Sequence, residues 1–249
     1  NGTIIDGTNK PKFSSDIGIT KNKIEAIGIL NDTAAKKIID ATNLVVAPGF
    51  IDIHTHSDIS VINDPLNESK IFQGVTTEVT GNCSYSPFPS GNDDPNTLKE
   101  ELWEKRGNAD DPNTIWRWTT FDEYANYIEN RGTSLNVAPQ VGYAALQIAS
   151  GSVENRRATE VELEKMKKLA NESIEQGAFS LSTGLSVPPS AFASTEEIIE
   201  VCKSISHYDN IFYVTHAREG AGRHISKIEE AVEIGIKSNI SVQFSHLAI

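Results

Sequence analysis

Hydrophobic and polar positions along this chain follow two periods. From residue 49 onward, short apolar runs rich in β-branched and aromatic residues recur at 50–57, 76–83, 134–141, 177–183, 211–217 and 240–247, and these read as strands. Between them lie stretches whose apolar positions repeat at helical spacing: 120–130, with Phe121, Tyr124, Tyr127 and Ile128, then 159–176, 195–206 and 225–236. Thr120 followed three residues later by Glu123 is a helix-start signature, Gly177 closes the second helix, and Gly235 sits near the end of the last. Strand and helix in alternation predict βα units around a parallel sheet, hence an α/β fold. Residues before 48 have no helical period. They read as short strands, at Thr3-Ile4-Ile5, 17–20 and 24–27, with a tight turn at Lys21-Asn22. The pattern thus divides the chain into 1–47 and 48–249.

The ends of the strands carry the chemistry. Gly49-Phe50-Ile51-Asp52-Ile53-His54-Thr55-His56-Ser57 places two histidines two residues apart at the end of an apolar run. The side-chain period of an extended strand is two, so both imidazoles leave one face and can converge on a divalent metal. Burying two such rings in a core would instead demand a partner for each. Cys83, His216 and His246 also end apolar runs, and in a (β/α) barrel functional side chains sit where strands end. Each has a duller reading, Cys83 as a space-filling thiol and the histidines as hydrogen-bonded core residues. Cys202 lies inside a helical pattern and reads as core, while His207 and His224 read as surface or helix-terminal residues.

Composition sets outer limits. With 249 residues, 38% hydrophobic and 22% charged, the chain is long enough for a sizeable core. A formal net charge of −12 with scattered lysines and arginines argues against nucleic acid or an anionic membrane as partner. No apolar run reaches membrane-spanning length, and a metal-bound cysteine would leave the other unpaired, so the expected compartment is the reducing cytoplasm. The chain opens at Asn1 without methionine, so a preceding leader stays open.

The order Pro48-Gly-Phe-Ile-Asp-Ile-His-Thr-His-Ser-Asp58, then Gly74-Val-Thr-Thr-Glu-Val-Thr-Gly-Asn-Cys83, Leu181-Ser-Thr-Gly-Leu185, Val214-Thr-His-Ala-Arg218 and Phe244-Ser-His246 resembles the N-acyl-D-amino-acid deacylase (D-aminoacylase) branch of the amidohydrolase superfamily. The two histidines mark only the superfamily, whereas Gly81-Asn82-Cys83 is specific to the branch. The resemblance implies a (β/α) TIM-type barrel, here about six of eight strands, beside part of a small β-sandwich built from both chain ends. It implies a fragment of a longer protein. It also implies zinc, held tightly by Cys83, His216 and His246, with a weaker second site at His54 and His56 completed by an aspartate from a later strand. Zinc favours thiolate and imidazole, and three protein ligands leave a position for water or substrate. Segment 177–184 offers no lysine to bridge two metals, which leaves the cysteine as the natural substitute.

The implied reaction is hydrolysis of N-acyl-D-amino acids to a carboxylic acid and a D-amino acid, the general base being an aspartate beyond Ile249. By itself, then, this stretch is expected to be inactive. Where relatives carry Gly-His-Gly and Gly-Leu-x-Tyr-Pro-Pro-Gly, this chain has Gly142-Tyr143-Ala144 and Gly184-Leu185-Ser186-Val187-Pro188-Pro189-Ser190. Tyr143, Ser182 and Arg218 are the candidate substrate contacts, the arginine as a fork for a carboxylate or, equally, as half of a salt bridge. The stretch 84–119 lacks periodicity and leaves a ligand-bearing strand, so it is expected to be a substrate-side lid, with Trp103, Trp116 and Trp118 packing within it, or else an inert insertion. Two other functions compete: a dihydroorotase- or hydantoinase-like cyclic amidase, and a non-catalytic relative that keeps zinc.

Overall fold

A computed structural model describes residues 1–31, 34–91, 94–104, 115–218 and 225–247. The chain forms two compact units, Asn1–Phe50 and Ile51–Ile249. The first unit is a four-stranded sheet of β1 (Gly2–Ile4), β2 (Phe13–Thr20), β3 (Lys23–Gly28) and β4 (Val45–Val46), in the order β3-β2-β1-β4. The expected tight turn joins β2 to β3, with Lys21 in the left-handed region at φ 58°. β1 pairs antiparallel with β2 and parallel with β4. Among the described residues this unit is one layer, not two, and Ile19, Ile24 and Ile27 on its strands are exposed.

The second unit contains β5 (Phe50–Asp52), β6 (Val75–Thr80), β7 (Asn136–Pro139), β8 (Val141–Gly142), β9 (Leu181–Gly184), β10 (Phe212–His216) and β11 (Ser241–Ser245). Each apolar run read from the sequence has its counterpart here. β5-β6-β7 form one sheet and β8-β9-β10-β11 another. Only Gln140 separates β7 from β8, so one length of chain pairs with β6 and then, one residue on, with β9. The pairings of β6 with β7 and from β8 through β11 are parallel. Parallel neighbours need crossover connections, and the helices supply them.

These helices are α1 (Ser60–Asn63), α2 (Glu68–Ile71), α3 (Pro95–Leu102), α4 (Phe121–Arg131), α5 (Tyr143–Ser150), α6 (Glu160–Gln176), α7 (Thr195–Ile205) and α8 (Ser226–Ser238). The helix-start signature at Thr120 and Glu123 is a full capping box, and Thr159 with Glu162 and Ser194 with Glu197 repeat it. Each box satisfies amide groups that a helix terminus otherwise leaves orphaned. Leu146, Met166, Leu181, Ile198, Cys202 and Tyr213 fill the core. Cys202 is fully buried, as its helical pattern indicated.

The described part of 84–119 is not a lid. Phe88, Leu98, Leu102, Trp103, Trp116 and Trp118 all belong to the core, and α3 starts at the Asp94 cap with Pro95 in its first turn. Trp116 stacks on Trp118 at 5.6 Å, and the Trp118 indole donates to the Pro87 carbonyl at 2.9 Å. The tryptophans pack together as expected, but as part of the core of the whole unit. Residues 92–93 and 105–114 lie outside the described residues.

Candidate metal centre

Two neighbours fix the His54-Thr55-His56 segment. The Thr55 amide and hydroxyl both donate to the Val79 carbonyl, at 3.1 and 3.0 Å, which turns the buried Thr55 toward β6. His54 and His56 leave on the other side, with ring centroids 5.4 Å apart. His54 is half-buried, whereas His56 is exposed and meets the edge of Tyr85 at 6.1 Å.

The Gly81-Asn82-Cys83-Ser84 turn follows β6. Its cornerstone is the fully buried Asn82, whose amide donates to the carbonyls of Val79 at 2.9 Å and Thr55 at 3.3 Å. Asn82 Oδ1 accepts from Gln140 Nε2 at 2.9 Å, and Gln140 Oε1 accepts from Ser180 Oγ at 2.6 Å. One asparagine thereby ties together the ends of consecutive strands, with its hydrogen-bonding capacity used rather than buried idle. Cys83 and Ser84 both take left-handed backbone, at φ 54° and 74°. Such a conformation costs a non-glycine residue roughly 1–2 kcal/mol and persists only where the surroundings hold it. Here Ser84 N donates to Ser182 Oγ at 3.2 Å and Gly184 N donates to Ser84 Oγ at 2.5 Å. Gly142 and Gly184 must lack side chains, because a Cβ on either would come within 2.1 Å of the Ser84 carbonyl or 2.3 Å of the Cys83 carbonyl.

The turn delivers the Cys83 thiol to three imidazoles. Its Sγ lies 3.5 Å from His54 Nε2, 3.6 Å from His216 Nδ1 and 3.4 Å from His246 Nε2. Donor atoms of His54, Cys83 and His246 all fall within 4.8 Å of one another. His216 ends β10 and His246 follows β11, so the four groups come from four strand ends. Burial pushes the Cys83 thiol up to about 12. Burial, followed by the charges of His246, His56 and His216, pushes His54 down to about 4. His54 thus favours its neutral, lone-pair-bearing form, and a cation beside the buried thiol would favour its thiolate. That donor set fits a bound metal ion.

Of the carboxylates near the histidines, Asp52 and Glu78 are committed to Lys70. Asp52 pairs with Lys70 at 2.6 Å, and Lys70 also reaches the fully buried Glu78 at 3.0 Å. Asp58 is fully buried, and its backbone carbonyl accepts from the Tyr124 hydroxyl at 2.6 Å. Among the described residues no Asp or Glu joins the cluster of metal-ligand candidates.

The three substrate candidates lie apart from the cluster's open side. Tyr143 is fully buried in α5 within the core and presents no surface to a substrate. Ser182, also fully buried, donates to the Gly81 carbonyl and accepts from Ser84 N, so its hydroxyl braces the cysteine turn. Arg218 directs its guanidinium to Glu230 at 2.9 Å, to the Ala191 carbonyl at 2.9 Å and to the Ala193 carbonyl. Of its two readings from sequence, the geometry shows the salt bridge, made with α8. His207 is exposed against the Tyr208 ring, and His224 lies outside the described residues. Gln140, Ser84 and Ser190, which brace the site, passed unnoticed in the sequence. Ser84 and Ser190 meet across 106 positions and carry no local signal; only Gln140, a polar residue within an apolar run, offered one.

Residues 37–208 match the amidohydrolase family. The chain belongs to that family. Within it the similarity runs to the D-aminoacylase branch that the strand-end motifs resemble. D-aminoacylase of Alcaligenes xylosoxydans xylosoxydans is 39% identical over 245 residues, covering 98% of this chain and 49% of that one. Among solved structures, a D-aminoacylase described by its binuclear metal center aligns at a TM-score of 0.85 and 36% identity, over 98% of this chain and 50% of that one. N-acyl-D-glutamate deacylase of Bordetella bronchiseptica, complexed with zinc and a phosphonate inhibitor, aligns at 0.84 and 29% identity, over 97% of this chain and 49% of that one. The chain therefore spans about half the length of the relatives it matches. Among the described residues no helix is long and apolar enough to cross a membrane.

Proposed function

We propose that the intact protein hydrolyses the amide bond of N-acyl-D-amino acids at a zinc centre built on Cys83. The observation that carries this reading is the thiol's position 3.4–3.6 Å from three imidazole nitrogens. A tetrahedral zinc, with Zn–S of about 2.3 Å and Zn–N of about 2.0–2.1 Å, requires S···N edges of about 3.5 Å. Cys83, His216 and His246 hold the tighter ion, and His54 and His56 the weaker one. His54 lies as close to the thiol as the other two histidines, so Cys83 would be within reach of an ion at either position.

When bound, the metal supplies an activated water and polarises the acyl carbonyl. The chain's own residues create the setting. Cys83 is buried and Asn82 holds its turn, so one side of the centre excludes water. His56 and His246 are exposed, so substrate approaches from their side. Asp52 is held below its ordinary value because the Lys70 ammonium and the His54 amide outweigh its partial burial; it is ion-paired and poorly placed to carry protons. The general base is supplied by an aspartate in the remainder of the protein, which also adds the last barrel strands and a second layer over the N-terminal sheet. Exposed Phe50 and Ile51 on the edge strand β5, and Ile53 just after it, are consistent with such a covering.

Two assays of the intact protein test this reading: turnover of N-acetyl-D-amino acids and of cyclic imides, each with the parent and with Cys83→Ser. The expected result is turnover of the linear amides, lost together with zinc in the variant. Hydrolysis of the imides alone would assign a cyclic amidase, and zinc binding without turnover of either would assign a non-catalytic relative.

A further inference from the structure

The loop that leaves β9, residues 184–190, touches one metal-ligand candidate and the turn that carries another. At its start the Leu185 amide donates to the His216 carbonyl at 2.8 Å. Ser186 Oγ then lies 2.9 Å from His216 Nε2, on the ring edge away from Cys83. Farther along, Ser190 Oγ donates to Gln147 Oε1 at 3.0 Å, so the 2.9 Å contact between Ser84 and Ser190 has Ser84 as donor. Ser84 Oγ in turn accepts from Gly184 N. One loop thus grips the His216 ring and the turn that carries Cys83.

The ring contact has a consequence for ligation. A neutral imidazole bears one N–H and one lone pair, and the partner of one nitrogen decides which is which. His216 faces the Cys83 sulfur with Nδ1, at 3.6 Å, so Nδ1 must keep its lone pair to bind a metal beside that sulfur. The proton then resides on Nε2, where Ser186 Oγ stands at acceptor distance. We infer that Ser186 is a positioning residue: with Nδ1 turned to the metal its hydroxyl accepts from Nε2–H and holds the His216 ring in its ligating orientation. The inference rests on the metal reading above and assigns to Ser186 a role distinct from substrate contact. Ser186 is partly exposed in a loop, so removing its hydroxyl leaves the core packing untouched.

Cobalt(II) serves as the probe in the intact protein, followed by its thiolate charge-transfer absorption in competition with a chelator. Ser186→Ala should weaken cobalt binding by about 10–100-fold, the usual effect of losing an outer hydrogen bond to a ligating histidine, and leave the metal-free melting temperature unchanged. Ser186→Thr, which keeps the hydroxyl, should restore most of the affinity. Cobalt affinity of Ser186→Ala within about threefold of the parent would overturn the inference, as would a fall in metal-free stability large enough to account for the loss. A parent protein that takes up no cobalt would instead overturn the metal reading itself.

Discussion

The Cys83 side of the metal centre is buried and cross-linked by hydrogen bonds, whereas His56 and His246 on the opposite side are exposed. The difference begins in the backbone. Cys83 and Ser84 take left-handed conformations that Ser182, Gly184 and Asn82 hold in place, between two glycines that cannot carry a Cβ. His54 and His56 flank the buried Thr55, which bonds the Val79 carbonyl, in a segment with fewer such ties. A thiol pushed up to about 12 by burial needs a cation to become a good ligand, and its fixed position means that little rearrangement is required when one arrives. Hydrogen bonds thus concentrate on the Cys83 side, and the exposed histidines are held by fewer of them.

If that contrast is right, disturbing the Cys83 side should do most damage. Gly184→Ala drives a methyl to within 2.3 Å of the Cys83 carbonyl, a contact with backbone that cannot yield cheaply. It should destabilise the protein by about 3 kcal/mol, the upper end of ordinary overpacking, and reduce metal content with it; denaturant titration and elemental analysis check both. Asn82→Ala should cost less, about 1–3 kcal/mol in the same titration, because it takes the acceptor from the buried Gln140 amide and a donor from the Thr55 carbonyl.

Acid probes the middle of the range. His54 has a folded value near 4 against an ordinary value near 6.5, so the fold favours its neutral form. Its contribution is fully present above about pH 6.5 and is lost as pH falls toward 4, where protonation of the folded site begins to compete. The metal-free protein should therefore lose stability progressively across that window, and His54→Gln should flatten the slope, as thermal melting at successive pH values would record. His56→Ala should change least. It should leave stability within about 0.5 kcal/mol and total bound metal close to that of the parent, while weakening any second ion; melting and a metal titration check the pair.

Much of this layout was legible in the residues. Apolar runs ending in His54, His56, Cys83, His216 and His246 marked the strands, four of these side chains meet in the fold, and Thr120 with Glu123 gave a helix start to the residue. The α5 helix was not legible, because six of its eight residues are buried and a helix without a polar face shows no period. Tyr143, a candidate substrate contact by its place in the Gly142-Tyr143-Ala144 motif, is a core residue of that helix. The misreading of 84–119 has a similar origin: its tryptophans and prolines pack through tertiary contacts that leave no local repeat. The grip of Ser84, Ser182 and Ser190 on the cysteine turn joins residues about a hundred positions apart, and no local pattern announces such a contact.

The central claim is that the buried Cys83 sulfur is a metal ligand. X-ray absorption at the zinc edge of the intact, zinc-loaded protein tests it most directly. The account predicts a sulfur scatterer at about 2.3 Å together with imidazole nitrogens at about 2.0–2.1 Å, the sulfur disappearing in Cys83→Ser. A coordination sphere of nitrogen and oxygen alone in the parent protein would contradict it.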